Sequence, residues 1–116
     1  MLQKLDTAHL NRLALAEKIS KMNSNDFDMR RPHRCICGHA LRMFGICWPY
    51  FGGWESQLKV GANLLGLSID QARELFVPAN RAKSTDLYTH PQDAARVVRY
   101  LAATDIVDWN VAAKPR

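Results

Sequence analysis

The fold is decided by the stretch Cys35-Ile36-Cys37-Gly38-His39-Ala40-Leu41-Arg42-Met43-Phe44. Its apolar residues recur at i, i+4, i+7 and i+8, which is the spacing of one helix face: Ile36, Ala40, Met43 and Phe44. A face of this kind is expected to pack against a core. We therefore predict a central helix that starts near His33 or Arg34 and ends near Gly45.

Before this helix, the sequence predicts one long helix, a turn and a short extended piece. The first helix is expected to follow a cap at Asp6 or Thr7 and to run to about Met22. Residues 23–26 have the composition of a turn. Residues 27–29 alternate apolar and polar side chains, which predicts a short extended piece before the central helix.

After the central helix, three more segments have helical periodicity. The first spans residues 55–65, and its stripe is Leu58, Gly61, Ala62 and Leu65. The second is short and follows a capping-box pair, with an inward face of Ile69, Ala72, Leu75 and Phe76. The third follows another pair at that spacing, Thr89 and Gln92, and its stripe is Ala94, Val97, Val98 and Leu101. Residues 106–109 are predicted to pack back on the body as an extended tail.

Because every strongly periodic segment is helical, we predict an all-α fold. The expected architecture is a compact single domain, residues 1–116, of about five helices. Within it, residues 55–77 should form an αα-hairpin of the helix-turn-helix kind with Gly66 at its turn. Hydrophobic residues make up 47% and charged residues 23% of the chain, which is ordinary for a folded domain. A chain of 116 residues can bury one core without disulfides or a structural metal.

Composition restricts the location and the partners. The formal net charge is +5, which is compatible with an anionic partner but does not require one. Three cysteines are an odd number, unlike the disulfide framework of a secreted scaffold. The N-terminal residues form no apolar run of signal-peptide length, and no window reaches the roughly 20 apolar residues that cross a bilayer. We expect a reduced, cytoplasmic protein with no membrane partner.

Four short segments occur in this order: Cys35-Ile36-Cys37-Gly38-His39-Ala40, Leu64-Leu65-Gly66-Leu67-Ser68, Gln71-Ala72 with Leu75-Phe76, and Val107-Asp108-Trp109. Together they resemble a family of small uncharacterised bacterial and phage-borne proteins, whose core phrase is roughly C-G-T-x-A-C-I-A-G-H-A. A family cysteine falls at Arg30, a family alanine at Cys37 and a family glycine at Asp105. The resemblance implies a compact cytoplasmic domain associated with mobile elements, and it implies no particular activity.

The sulfur and imidazole groups are candidates for a metal site or a reactive thiol site. The relevant residues are His33, Cys35, Cys37, His39 and Cys47. C-x-C is a poor match to the ligand spacing of structural zinc sites. Cys35 and His39 do share a helix face, so a metal- or thiol-dependent protein is one alternative. We expect instead that the cysteines pack as small apolar groups and that His39 bonds a backbone carbonyl or a carboxylate. We therefore assign no catalytic residue, no metal and no cofactor.

A helix-turn-helix regulator is the other alternative, since residues 58–75 have suitable spacing. Its second helix would present Asp70, Arg73 and Glu74, which together carry a net negative charge. A recognition helix has to approach phosphates, so this charge argues against DNA binding.

The hypothesis we favour is a non-enzymatic interaction module, for example a phage inhibitor of a host defence complex. Its partner would be a protein or a nucleoprotein, with nucleic acid as a further possibility. The predicted surface combines arginines with aromatic residues: Arg30, Arg31, Arg34, Arg42, Trp48, Tyr50 and Trp54. Arginine suits such contacts because its guanidinium donates hydrogen bonds in pairs. The aromatic loop, residues 48–54, is either a plug over the core or a docking surface.

Overall fold

The computed structural model describes residues 2–29, 34–46, 54–77, 90–109 and 111. Five α-helices lie within these ranges: α1 (Leu2–Ser20), α2 (Ile36–Met43), α3 (Trp54–Leu65), α4 (Ile69–Phe76) and α5 (Pro91–Thr104). A short 3-10 turn, Ser24–Asp26, follows α1 where the sequence predicts a turn. No strand occurs in the described ranges. The predicted all-α fold is confirmed.

One apolar core joins the five helices. The long helix α1 packs mainly against α5, while α3 contacts α1, α2 and α4. The predicted stripes of α3 and α5 are buried throughout. In α4, three of the four predicted inward residues are buried, but Ile69 is 38% exposed and does not belong to the core. Ile69 is the first residue of α4, so its side chain lies at the edge of the packed surface.

The hairpin of α3 and α4 forms as predicted. Gly66 has a φ of +65°, a left-handed conformation that glycine adopts without strain. Ser68 Oγ accepts from the backbone N–H of Gln71 at 3.1 Å, and Ser68 N–H donates to Gln71 Oε1 at 2.9 Å, which completes the capping box. Gly61 permits a close approach of α2, because a Cβ there would lie 2.7 Å from Cys37 Sγ.

Two predicted helix starts are wrong. Helix α1 begins at Leu2, before the proposed cap at Asp6 or Thr7, although it ends at Ser20, within two residues of the predicted end. Helix α2 begins at Ile36 with Cys35 as its N-cap, because the Arg34 carbonyl is engaged by the backbone N–H of Asp28 at 3.0 Å.

The N-cap of α5 is His90, not Thr89, which lies outside the described residues. Gln92 Nε2 donates to the carbonyls of Ser20 at 3.1 Å and Met22 at 3.0 Å. This tertiary contact to the end of α1 is not predicted by local spacing.

Two segments outside the helices pack on the core as predicted. Phe27 and Met29 of the short extended piece are buried. Trp109 is 3% exposed, and its indole Nε1–H donates to the Glu74 carbonyl at 2.9 Å. The chain reverses before Trp109 at Asp105, whose φ of 64° is the left-handed conformation that often ends a helix.

Arg12 of α1 is a buried cation that the sequence pattern did not predict. Its Nε donates to the Leu65 carbonyl at 2.8 Å and its Nη2 to the Gly66 carbonyl at 3.0 Å. Its Nη1 lies 3.0 Å from the Asp105 carboxylate and 3.4 Å from the Leu101 carbonyl. Helix C-termini leave carbonyls without intrahelical partners, so one guanidinium satisfies acceptors at the ends of both α3 and α5.

Candidate functional site

A pocket of about 480 Å3 lies between the end of α1, the 3-10 turn and α2. Its lining residues are Lys18, Met22, Asp26, Arg34, His39 and Arg42. Three of these side chains are cationic, and they come from α1, from the residue before the N-cap of α2, and from α2 itself. We call this cavity the basic pocket.

His39 lies at the buried side of the basic pocket and is 4% exposed. Its Nε2 is 2.9 Å from the Asp26 carbonyl oxygen, and its Nδ1 is 3.1 Å from Arg42 Nη2. A carbonyl only accepts and a guanidinium only donates. The proton therefore resides on Nε2, and Nδ1 accepts from Arg42. His39 is the core histidine bonded to a backbone carbonyl that the sequence predicts.

The environment of His39 keeps the ring neutral. Burial lowers the pKa of His39; the hydrogen bond to Asp26 opposes this shift, and the charges of Arg42 and Lys18 add to it. The ring also stacks on Phe27, with centroids 5.9 Å apart and planes 11° from parallel. Because both ring nitrogens are engaged, His39 positions Arg42 and has no free lone pair with which to act as a general base.

The cationic groups of the basic pocket remain accessible. Lys18, Arg34 and Arg42 are exposed. Arg34 Nη1 donates to the Asn25 carbonyl at 3.4 Å, which restrains that side chain over the 3-10 turn. Among the ion pairs between described residues, none involves these three cations. Among the described lining residues, one is a carboxylate, Asp26, so this part of the lining carries an excess of positive charge.

The described cysteines are buried, and their thiols are unreactive. Cys35 is 2% exposed and Cys37 is fully buried. Burial raises the pKa of both thiols, although backbone N–H groups of Cys37 and Gly38 oppose the shift at Cys35. Cys37 Sγ donates to the Gln57 carbonyl at 3.5 Å. Both thiols are therefore protonated at neutral pH, which disfavours nucleophilic attack and metal ligation.

The described residues offer no arrangement of ligands that supports the metal hypothesis. Among them, no three His, Cys, Asp or Glu side chains come together as a metal ion would require. Two residues weighed as ligands, His33 and Cys47, lie outside the described residues.

The structure brings together two of the predicted partner-binding residues, Arg34 and Arg42. Trp54 is the first residue of α3, and its half-buried side chain packs against the core, away from the pocket lining. The other four predicted residues lie outside the described residues: Arg30, Arg31, Trp48 and Tyr50. Sequence reasoning missed Lys18, which no local pattern connects with the central helix.

The exposed side of the hairpin differs from the basic pocket. Asp70, Arg73 and Glu74 of α4 are exposed, as the sequence predicts. Arg73 Nη2 lies 3.6 Å from Glu55 Oε1 on α3. The cation of this helix is thus already matched by a carboxylate, so the hairpin offers phosphates no concentrated positive charge.

Comparison of the chain with protein-family models, curated proteins and solved structures gave no match. None of the described helices has both the length and the apolar character needed to cross a membrane. The resemblance to small bacterial and phage-borne proteins therefore stays a prediction.

Proposed function

We propose that this protein is a non-enzymatic interaction module that binds an acidic surface of a protein or nucleoprotein partner through the basic pocket. The observation that carries the proposal is the grouping of Lys18, Arg34 and Arg42 around one concave site, with no ion pair to any described carboxylate. Exposed cations that share a cleft raise the local concentration of an anionic partner and speed its association.

The chemistry of the neighbouring groups supports a binding role over a catalytic one. His39 is neutral and uses Nδ1 to accept from Arg42, and the thiols of Cys35 and Cys37 are buried and protonated. Covalent catalysis requires an activated nucleophile within reach of a base. The described part of the pocket lining contains lysine and arginine donors that suit recognition of anions.

The proposed surface extends beyond the pocket. Arg30 and Arg31 belong to the same basic run as Arg34 in the sequence and add two charges to it. The free thiols of Cys35 and Cys37 fit a cytoplasmic location, where thiols stay reduced. An origin in a phage or another mobile element, with a host defence complex as the target, rests on the sequence resemblance alone.

The test is a comparison of partner capture by two charge-reversal variants. Arg34→Glu/Arg42→Glu changes the pocket, and Arg73→Glu/Arg99→Glu makes the same change in net charge at exposed arginines elsewhere. Tagged proteins are incubated with lysate of a bacterial host, with and without nuclease, and the bound material is identified by mass spectrometry and sequencing. We expect wild type and the Arg73/Arg99 variant to retain the same partner and the pocket variant to lose it.

Equal recovery of every partner by the three proteins would show that the basic pocket is not the binding surface. Loss of the partner from both charge-reversal variants would show that recognition depends on net charge and not on the pocket.

A further inference from the structure

We infer that the group seated in the basic pocket is a phosphate monoester on a side chain of the protein partner. This inference rests on the proposed function, because it takes the same pocket as the place where the partner is bound. It adds the chemical class of the bound group. The charge of the pocket, the arrangement of its donors and its shape each support this class.

The charge of the pocket matches a dianion. Lys18, Arg34 and Arg42 supply three positive charges, and Asp26 supplies one negative charge. A phosphorylated side chain carries a charge of about −1.5 to −2 near neutral pH. A single carboxylate would leave half of this excess positive charge unbalanced. Phosphate monoester therefore fits the charge of this cavity better than an aspartate or glutamate side chain does.

The donors come from α1 and from the two ends of the α2 segment, which suits a tetrahedral group. Each guanidinium has five N–H donors, and the described contacts of Arg34 and Arg42 use one nitrogen of each. The remaining donors, with the Lys18 ammonium, can reach different oxygens of one phosphoryl group. A planar carboxylate presents two oxygens and cannot engage three cations arranged around a cleft equally well.

The two arginines are restrained before any ligand binds. Arg42 is held by the neutral His39 ring, which is itself tied to Asp26 and stacked on Phe27. Arg34 is held by the Asn25 carbonyl. Restraint of long side chains reduces the conformational entropy lost on binding. His39 is thus a positioning residue whose function is to orient Arg42 towards the cavity.

The shape of the site favours a single phosphorylated side chain over a nucleic-acid backbone. A backbone presents a row of monoanionic phosphates and is met by charges spread along a stripe or groove. The cations here surround one cavity of about 480 Å3, enough for a phosphoryl group and the side chain that carries it. Recognition of phosphorylated side chains by arginine clusters is a known mode of peptide binding.

The test is a titration of the 15N-labelled protein, followed by NMR, with four probes. They are the N-acetyl amides of phosphoserine, phosphotyrosine and glutamate, and a 5′-phosphorylated oligonucleotide. We expect at least one phosphoamino acid to shift the amide signals of α2 and the 3-10 turn, and to bind about tenfold more tightly than glutamate amide. We expect Arg42→Met and Arg34→Met each to weaken this binding about tenfold, and the control Arg73→Met to leave it unchanged.

Arg42→Lys separates charge from geometry, because lysine keeps the charge and loses the planar fork. An affinity between those of wild type and Arg42→Met supports a role for the fork. Affinity of Arg42→Lys equal to that of wild type would refute the geometric part of the inference.

Several outcomes would overturn the inference while leaving the proposed function standing. Binding of glutamate amide as tight as that of the phosphoamino acids would show that the pocket recognises acidic side chains in general and would remove the preference for phosphate. Tighter binding of the oligonucleotide, with steep salt dependence, would assign the pocket to nucleic acid. The probes are added up to about 10 mM, ten times a Kd of about 1 mM. If no probe shifts any signal at that concentration, and the protein still captures its partner through the pocket, phosphate is excluded. If the wild-type protein neither captures a partner through the pocket nor binds any probe, both proposals are refuted.

Discussion

Two pockets lined by described residues contain arginine, and they use the guanidinium group in opposite ways. A pocket of about 660 Å3 lies beside Arg12 and Asp105, and the basic pocket lies beside Arg34 and Arg42. The Arg12 side chain is 8% exposed and contacts three carbonyls and a carboxylate. Arg42 is exposed, and its described hydrogen bond is to the His39 ring.

The difference shows which arginine is available to a partner. The Leu65, Gly66 and Leu101 carbonyls lie at helix C-termini, where the backbone carries a partial negative charge. Arg12 neutralises that charge from inside the fold, so its donors are already used. Arg34 and Arg42 keep donors that face solvent, so a ligand can replace water there at little cost to the fold. We therefore assign Arg12 to stability, whereas Arg42 remains available for the proposed binding.

The sharpest test of this contrast is to remove each guanidinium in turn. Arg12→Met removes the donor that contacts the buried Leu65 carbonyl and the ion pair to Asp105, whereas the Leu101 carbonyl keeps the backbone N–H of Asp105. We expect Arg12→Met to lower the free energy of unfolding by about 3 kcal/mol. Arg42→Met removes one part-buried hydrogen bond to His39, and we expect a loss of about 1 kcal/mol. Urea unfolding followed by circular dichroism measures both. Similar losses for the two variants would break the distinction.

A second test uses pH to ask whether the neutral His39 ring contributes to the free energy of unfolding. Since the folded state lowers the pKa of His39 from 6.5, the unfolded chain binds the proton more readily. The stabilising contribution is fully present above about pH 6.5 and is lost as the pH falls towards the folded-state pKa. Urea unfolding of wild type at pH 7.5 and pH 5 should show this loss.

The matched control for the pH test is His39→Gln, which keeps an amide donor near the Asp26 carbonyl and does not titrate. We expect His39→Gln to lose less stability than wild type over the same pH interval. An equal loss in the two proteins would assign the acid sensitivity to other groups.

The smallest expected effect comes from a test that compares the two kinds of Arg12 partner, the backbone carbonyls and the Asp105 carboxylate. Asp105 is 70% exposed at its side chain, so its ion pair with Arg12 is screened by solvent. We expect Asp105→Asn, which keeps a residue that tolerates a positive φ, to cost less than about 1 kcal/mol. Asp105→Ala should cost about 1 kcal/mol more than Asp105→Asn, because alanine is strained at a φ of 64°. Thermal unfolding of both variants measures the difference. A loss for Asp105→Asn as large as that for Arg12→Met would mean that the carboxylate is the main partner of Arg12.

The sequence predicted those features of the fold that depend on neighbours along the chain. The stripe on α3, the turn at Gly66 and the capping box of Ser68 and Gln71 all follow from spacing within a few residues, and all are confirmed. The cap predicted for α5 has the same spacing, but the N-cap is His90, and Gln92 Nε2 donates to the carbonyls of Ser20 and Met22 at the end of α1. Local spacing identifies a side chain that can cap a helix, but it does not reveal competing partners elsewhere in the fold.

For the candidate site, the sequence indicated Arg34, Arg42 and His39 because they fall in one chemically distinctive stretch. It did not indicate Lys18, which reaches the same pocket from α1. It also did not distinguish Arg12 from the other arginines, since a charged residue has no periodic signature of burial.

The order of apolar residues by itself determined the helical class, the αα-hairpin and the inward faces of α3 and α5, because helix periodicity is a local property of the chain. The tertiary structure alone decided which cations are buried and which are available. Burial of Arg12 depends on where two helices end, and the basic pocket depends on how α1 meets α2. Both are consequences of packing between segments that are distant in the sequence.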